Sequence, residues 1–385
     1  MQTMGQKKIV VLGSTASIGT NTLKVIERFP DEFKVVGLSA YNNFKLLGEQ
    51  IRRFKPTHVA VSRGGFDYLK HNVDTKKTKL FDVDKEITAL TVLPQVDTVV
   101  LGISGCRALI PFLSAVRQGK KIAPANKEAF VIAGHIIMAE AKKYKAVIIP
   151  VDSEQSAIFQ CIDGKKKNDL KRIYLTASGG PLYNVARRRF DKLTVNQILK
   201  HPRWKMGKKI TVDSATLMNK GFEIIEAKWL FGVDVNDIEV LIHPQAVVHS
   251  MVEFTDGAIL AQLGITDMRL PIQYALTYPE RLKTNLAQMN FFKLKKLTFK
   301  RPDLNKFPSL RLAMEVAKKG GTLPCVLNAA NEEAVEAFLS GRLNFSKIFR
   351  TVEKIVCRHK LKENPDLNTI WQVDRWAREE TLRLI

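Results

Sequence analysis

The 385-residue sequence predicts an α/β protein in three parts: an N-terminal doubly wound parallel sheet, a central α+β region and a C-terminal four-helix domain. Three observations predict it. From Lys7 to about residue 150, short apolar runs alternate with helical patterns, as in a parallel sheet covered on both faces. Alternating apolar segments cluster between Ile238 and Leu263. From Ser309 onward the chain reads as successive helices, separated by Gly320-Gly321, Gly341 and Asn364-Pro365.

Composition narrows the function. No apolar run reaches the length of a membrane span, so no membrane partner is expected. The segment before the first strand is too short for a signal or transit peptide, and a cytoplasmic protein is expected. Cys106, Cys161, Cys325 and Cys357 are scattered and read as reduced thiols. The net charge of +23 raises nucleic-acid binding as one reading. Residues 165–209 carry 14 Lys+Arg against 2 Asp+Glu, a net +12. That density suits a small phosphorylated substrate or an anionic cofactor, and equally a solvated basic surface. The chain has no zinc-finger spacing, RNP-like motif or heptad repeat, and no nucleic-acid partner is expected.

Taken in order, Lys7–Leu12 is a buried strand running into Gly13-Ser14-Thr15-Ala16-Ser17-Ile18-Gly19 and then a helix with apolar Leu23, Val25, Ile26 and Phe29. Strand, small-residue turn and helix open a Rossmann-like nucleotide-binding unit, because helix-start N–H groups face a pyrophosphate and glycine permits close approach. The second strand, Phe33–Ala40, ends in Tyr41-Asn42-Asn43 with Lys45 beyond, and has no acid to bind a ribose 2′-hydroxyl. That favours NADP over NAD. Strands at His58–Val61, Thr98–Gly102 and Lys121–Ala123 continue the sheet. Pro124-Ala125-Asn126-Lys127-Glu128 then starts a helix, and Lys127 sits against the positive end of its dipole, an unfavourable place for a purely structural lysine.

Ala146–Pro150 reads as a further buried strand, followed by Val151-Asp152-Ser153-Glu154. In an extended segment Asp152 and Glu154 share a face, and two adjacent carboxylates call for a cation or a proton between them. A solvated polar strand end is the alternative. Ile173–Thr176 is a strand ending in Ala177-Ser178-Gly179-Gly180-Pro181, a turn suited to phosphate or simply a Gly-Pro turn. The His201–Gly207 loop carries Trp204 and Met206, and reads as a lid or as a loop packed on its own domain.

Asp213 or Ser214 then caps a helix on which Asn219, Lys220 and Glu223 share a face. Gly221 inside it costs about 1 kcal/mol against Ala, so a close neighbour is expected there. Glu223 makes a third carboxylate beside Asp152 and Glu154. An all-oxygen set selects a hard ion, Mg²⁺ or Mn²⁺, rather than structural zinc. The segments Ile238–Ile242, Ala246–Phe254 and Ala258–Leu263 read as antiparallel strands, and Asn331-Glu332-Glu333 as surface or packing polarity.

In this order, the Gly13–Gly19 turn, Ala125–Glu128, Pro150–Glu154, Ala177–Pro181, the His201–Gly207 loop and Val212–Glu223 resemble the 1-deoxy-D-xylulose 5-phosphate reductoisomerase family over nearly the whole chain. The resemblance implies conversion of that phosphorylated ketose to 2-C-methyl-D-erythritol 4-phosphate, with NADPH and a divalent ion (Mg²⁺, Mn²⁺ or Co²⁺), in isoprenoid precursor synthesis. It implies metal ligation by Asp152, Glu154 and Glu223. It places Ser178, Ser214, Asn219 and Lys220 on the substrate phosphate with His201 nearby, and Lys127, Ser153, Glu154 and Glu223 at the reacting part. Lys127 and Glu154 are the catalytic candidates.

NADPH contacts fall on Thr15, Ala16, Ser17, Ile18, Tyr41, Asn42, Asn43, Asn126, Glu128 and Gly207, with Trp204 and Met206 on a flap. A homodimer using the 238–263 region is implied. The expected spans are 1–150 for NADPH binding, 151–290 for catalysis and dimerisation with a flap near 198–208, 291–308 for a connector, and 309–385 for the helical domain. Ala16 stands where the family usually has glycine, and a positive φ there would strain it. Asn42 lacks the charge often found at its position. The alternative enzyme is another NADP-linked, metal-dependent dehydrogenase.

Overall fold

β1 (Lys7–Leu12) is flanked in a seven-stranded parallel sheet by β2 (Phe33–Ala40) and by β5 (Thr98–Leu101). β3 (His58–Val61) and β4 (Lys79–Asp82) continue on the β2 side, and β6 (Lys121–Pro124) and β7 (Val147–Ile148) on the β5 side. Ile9, Val10, Val11 and Leu12 are fully buried, which explains an unbroken apolar run: helices cover both faces of the strand. The computed structural model describes residues 5–200 and 206–385, and the His201 and Trp204 expectations lie outside them.

The described chain falls into two compact units. The first, within residues 5–129, 137–156 and 267–286, holds the parallel sheet. Helix Arg269–Thr277 returns to this unit against helix Ser17–Ile26 and β6. Lys121 fixes it by donating to the carbonyls of Leu276 (3.2 Å) and Tyr278 (3.0 Å).

The second unit, within residues 130–136, 157–266 and 287–385, holds a four-stranded sheet of β8 (Leu170–Ala177), β9 (Ile238–Ile242), β10 (Val248–Phe254) and β11 (Ile259–Leu263) in the order β11-β10-β8-β9. The expectation of antiparallel strands is corrected for β9, which pairs in parallel with β8, while β10 runs antiparallel to both β8 and β11. A parallel neighbour needs a long crossover, and helices Lys208–Thr216 and Met218–Phe231 supply it.

Helices Pro308–Lys319, Leu323–Leu339, Phe345–Arg358 and Leu367–Leu384 form the helical end of the chain, as the glycine and proline punctuation predicts. Cys161 and Cys325 are buried in this unit and Cys357 is exposed, all as free thiols. No described helix is long and apolar enough to cross a membrane.

Candidate active site

In a parallel sheet all strand carboxyl ends meet on one rim, so the turns after β1, β2, β5, β6 and β7 are neighbours by topology. The turn after β1 is pinned from below. Gly13 N–H donates to Ser39 Oγ (2.9 Å) and Ser14 N–H to the Ser39 carbonyl (2.8 Å). Ser14 Oγ donates to Gln50 Oε1 at 2.7 Å. Gly13 adopts φ +77°, and a Cβ on it would sit 2.7 Å from the Gly102 carbonyl oxygen, so glycine is required.

Ala16 has φ −80° and ψ 174° and forms the N-cap of helix Ser17–Ile26. The strain that a positive φ would impose is absent, and alanine fits here. Ala16 and Ser17 are exposed, with Thr15 and Ile18 half-buried beside them. First-turn N–H groups of a helix have no intrahelical acceptor, which makes this turn an anion cradle. Tyr41, Asn42 and Asn43 are exposed after β2, and Asn43 caps helix Phe44–Phe54 by accepting from Leu46 N–H at 3.3 Å.

After β6, Asn126, Lys127 and Glu128 are all buried. Asn126 Nδ2 donates to the carbonyls of Ile103 (2.9 Å) and Gly105 (3.0 Å), and its Oδ1 accepts from Ala129 N–H (2.8 Å). Lys127 Nζ lies 2.8 Å from Asp152 Oδ2 in a shielded ion pair.

The strand before Asp152 is an edge rather than the buried strand expected. β7 has two residues and Val147 is exposed, although Ile149 N–H and Val151 N–H continue the ladder onto Ile122 and Pro124 carbonyls, both at 2.9 Å. Extension ends at Val151. Helix Ser153–Ile162 begins at once, so Asp152 and Glu154 are not strand alternates on one face. Asp152 precedes the first helical residue, accepting from Glu154 N–H at 3.3 Å, and Ser153 Oγ donates to Glu154 Oε2. Aspartate suits this position because it satisfies an orphan N–H and meets the positive helix end. Thus the first unit brings Lys127, Asp152, Ser153 and Glu154 together.

In the second unit, Gly179 (φ +88°) and Gly180 (φ +66°) turn the chain after β8. Gly180 N–H donates to Ser178 Oγ at 3.3 Å, and a Cβ on Gly180 would overlap the Ser214 backbone. Ser178 and Ser214 therefore flank one glycine turn. Gly207 starts helix Lys208–Thr216, with half-buried Met206 before it. Asp213 and Ser214 are inside that helix, not at a cap, because its first residue, Lys208, lies five positions before Asp213.

Leu217, in the left-handed region at φ 59°, breaks the chain into helix Met218–Phe231. There Asn219 Nδ2 donates to Glu223 Oε1 (2.5 Å) and Lys220 Nζ donates to Glu223 Oε2. Lys220 and Glu223 are buried. Gly221 admits helix Pro308–Lys319, since a Cβ there would run into Ala313 Cβ.

For Asn331 the packing alternative holds. It is buried, and its Nδ2 donates to Asp213 Oδ1 at 2.7 Å, while Lys209 Nζ sits 3.0 Å from Asp213 Oδ2. The signal was present: Leu327 and Val335 lie four residues either side of Asn331, on the apolar stripe of helix Leu323–Leu339. The dense positive runs at Lys165–Lys167 and Arg187–Arg189 are exposed.

Comparison with known proteins agrees with this geometry. Family models described as 1-deoxy-D-xylulose 5-phosphate reductoisomerase, its C-terminal domain, and DXP reductoisomerase C-terminal domain match residues 9–134, 148–231 and 263–380. The reductoisomerase of Pelotomaculum thermopropionicum is 48% identical over 98% of both chains. That of a Synechococcus strain is 48% identical over 98% of this chain and 97% of its own. The solved reductoisomerase of Zymomonas mobilis in complex with NADPH shares 37% identity and a TM-score of 0.92, covering 98% of this chain and 99% of that one. A DOX-P reductoisomerase structure with NADPH, fosmidomycin and magnesium shares 35% identity and a TM-score of 0.93, covering 98% of each chain. The chain belongs to the 1-deoxy-D-xylulose 5-phosphate reductoisomerase family.

Proposed function

We propose that this protein converts 1-deoxy-D-xylulose 5-phosphate to 2-C-methyl-D-erythritol 4-phosphate, using NADPH and a divalent cation, in the non-mevalonate route to isoprenoid precursors. The observation that carries the reading is 48% identity to a named reductoisomerase over 98% of both chains. The residues suit the groups it requires. Asp152, Glu154 and Glu223 offer only oxygen, the donor set of Mg²⁺ or Mn²⁺. The pinned glycine turn with exposed Ala16 and Ser17 suits a pyrophosphate. When bound, the cation supplies Lewis acidity at the ketose oxygens and NADPH supplies a hydride.

The chain's own residues do the rest. Ser178, Ser214, Asn219 and Lys220 hold the phosphate, assisted by His201, and anchor one fragment of the sugar while its skeleton rearranges. Ser153, Glu154, Glu223 and Lys127 orient the reacting end. Lys127, held by Asp152, and Glu154, held by Ser153, are the groups that move protons there. Thr15 to Ile18, Tyr41, Asn42, Asn43, Glu128 and Gly207 line the cofactor path, with Asn126 behind them. Trp204 and Met206 close over the ligands and keep water out.

In functional terms, residues 1–150 bind NADPH, 151–290 carry catalysis and dimerisation with a flap near 198–208, 291–308 connect, and 309–385 form the C-terminal helical domain. The enzyme works in the cytoplasm as a homodimer. Edge strand β11 supports the pairing surface, with Ile259 and Leu260 exposed.

The test follows NADPH absorbance with 1-deoxy-D-xylulose 5-phosphate, with and without chelator. Oxidation that stops with chelator and returns with Mn²⁺ or Mg²⁺ is expected. No turnover in saturating metal sinks the reading.

A further inference from the structure

The β2 end raises a question of charge. It carries no acid for a ribose 2′-hydroxyl, yet Asn42 is neutral, so the cation that reads a 2′-phosphate is either Lys45, just beyond, or one brought by another turn of the rim. One candidate lies across the turn. After β5 the chain passes Gly102-Ile103-Ser104-Gly105, and Gly105 takes φ 72° and ψ −169°, a conformation open to glycine alone. This reversal delivers Arg107 in the short 3₁₀ turn Cys106–Ala108. The Arg107 guanidinium carbon lies 5.2 Å from the ring centroid of Tyr41, which follows β2.

Because β2 and β5 are the two neighbours of β1, this contact passes across the end of β1, where the Gly13–Gly19 turn begins. Arg107 is exposed and no carboxylate pairs with it among the described residues. The loop that presents it is anchored, since the buried Asn126 amide donates to both Ile103 and Gly105 carbonyls. Arg63, farther along the rim, already faces Asp82 at 3.6 Å.

We propose that Arg107, braced on the Tyr41 ring, is the residue that recognises the 2′-phosphate of NADPH and sets preference over NADH. The proposal rests on the NADPH reading above. A guanidinium presents a planar fork to a phosphomonoester, and a ring beneath it limits the rotamers lost on binding. Asn126 is then a positioning residue: it holds the Arg107 loop rather than spending its amide on the cofactor.

Binding alone tests this, without metal or ketose. NADPH and NADH are titrated into the parent, Arg107→Gln, Arg107→Lys and Lys45→Gln by nicotinamide fluorescence, with 2′,5′-ADP as a competing probe. Arg107→Gln is expected to weaken NADPH and 2′,5′-ADP by about tenfold or more and to leave NADH within about twofold, the weight of a lost charge-assisted contact. Arg107→Lys should fall between, as a point charge without the fork. Equal weakening of both cofactors, no weakening of either, or loss of preference in Lys45→Gln alone overturns the proposal. A parent that binds neither cofactor contradicts the NADPH reading itself. Arg107 is exposed, so substitution leaves the core intact.

Discussion

Glu223 is a buried carboxylate already served by two donors, Asn219 and Lys220 on its own helix. Two donors fix the direction of its oxygens, which is what a metal ligand requires. Glu223→Gln is expected to stay folded by circular dichroism and to lose turnover that excess Mn²⁺ does not restore. Near-parent activity would remove Glu223 from the metal set.

Asn331 makes a second residue-scale prediction. Replacing it by Leu strips a hydrogen bond from the buried Asp213 carboxylate and should cost about 2 kcal/mol in a denaturant titration. An unchanged midpoint would show that Lys209 alone satisfies Asp213. The sequence singles out Lys127, Asp152 and Glu223, and the structure pairs Lys127 with Asp152 and buries Glu223. Pairings were not legible: nothing in the sequence joins Asn331 to Asp213, 118 positions apart. The backbone at Ala16 was also hidden, because a sequence fixes which residue would be strained but not whether its φ is positive.

At the scale of elements, periodicity found the strands and helices but not their partners. Asp152 and Glu154 sit two apart and would share a face only in an extended segment, but extension stops at Val151. Helix Ser153–Ile162 wins because aspartate caps it and Glu154 meets its dipole. Likewise β9 reads as one of three antiparallel strands, yet two helices precede it and permit parallel pairing with β8. β4 was missed because Lys79 and Asp82 bracket only two apolar residues.

Gly221 sets two element-scale effects against each other. Alanine would raise helix propensity by about 1 kcal/mol. Its Cβ would also overlap Ala313 on helix Pro308–Lys319, a packing cost of about 1–3 kcal/mol. Overlap with another Cβ on a fixed helix is hard to relieve, so Gly221→Ala should be less stable than the parent. Gly221→Ala with Ala313→Gly should recover the loss. A single variant more stable than the parent would show that the helices part freely.

For the molecule as a whole, the densest parts of the +23 charge are solvated surface, since the runs at Lys165–Lys167 and Arg187–Arg189 are exposed. Lys121 is different. Burial pushes its pKa down to about 8, with Lys7 acting in the same direction and Glu280 against. The unfolded chain keeps that proton up to about pH 10.4. Between about pH 8 and 10.4 the unfolded state binds more protons, so this group's contribution to stability rises with pH. The parent should gain stability relative to Lys121→Met across that window. A difference that stays flat would mean that the Leu276 and Tyr278 carbonyls hold the ammonium as firmly as water does.

The central claim is that this chain both rearranges and reduces a phosphorylated ketose. Carbon-13 NMR of the product from 1-deoxy-D-xylulose 5-phosphate, NADPH and Mg²⁺ tests it most directly. The predicted result is the branched 2-C-methyl-D-erythritol 4-phosphate, one per NADPH consumed. An unbranched, simply reduced sugar phosphate, or no product at all, would contradict it.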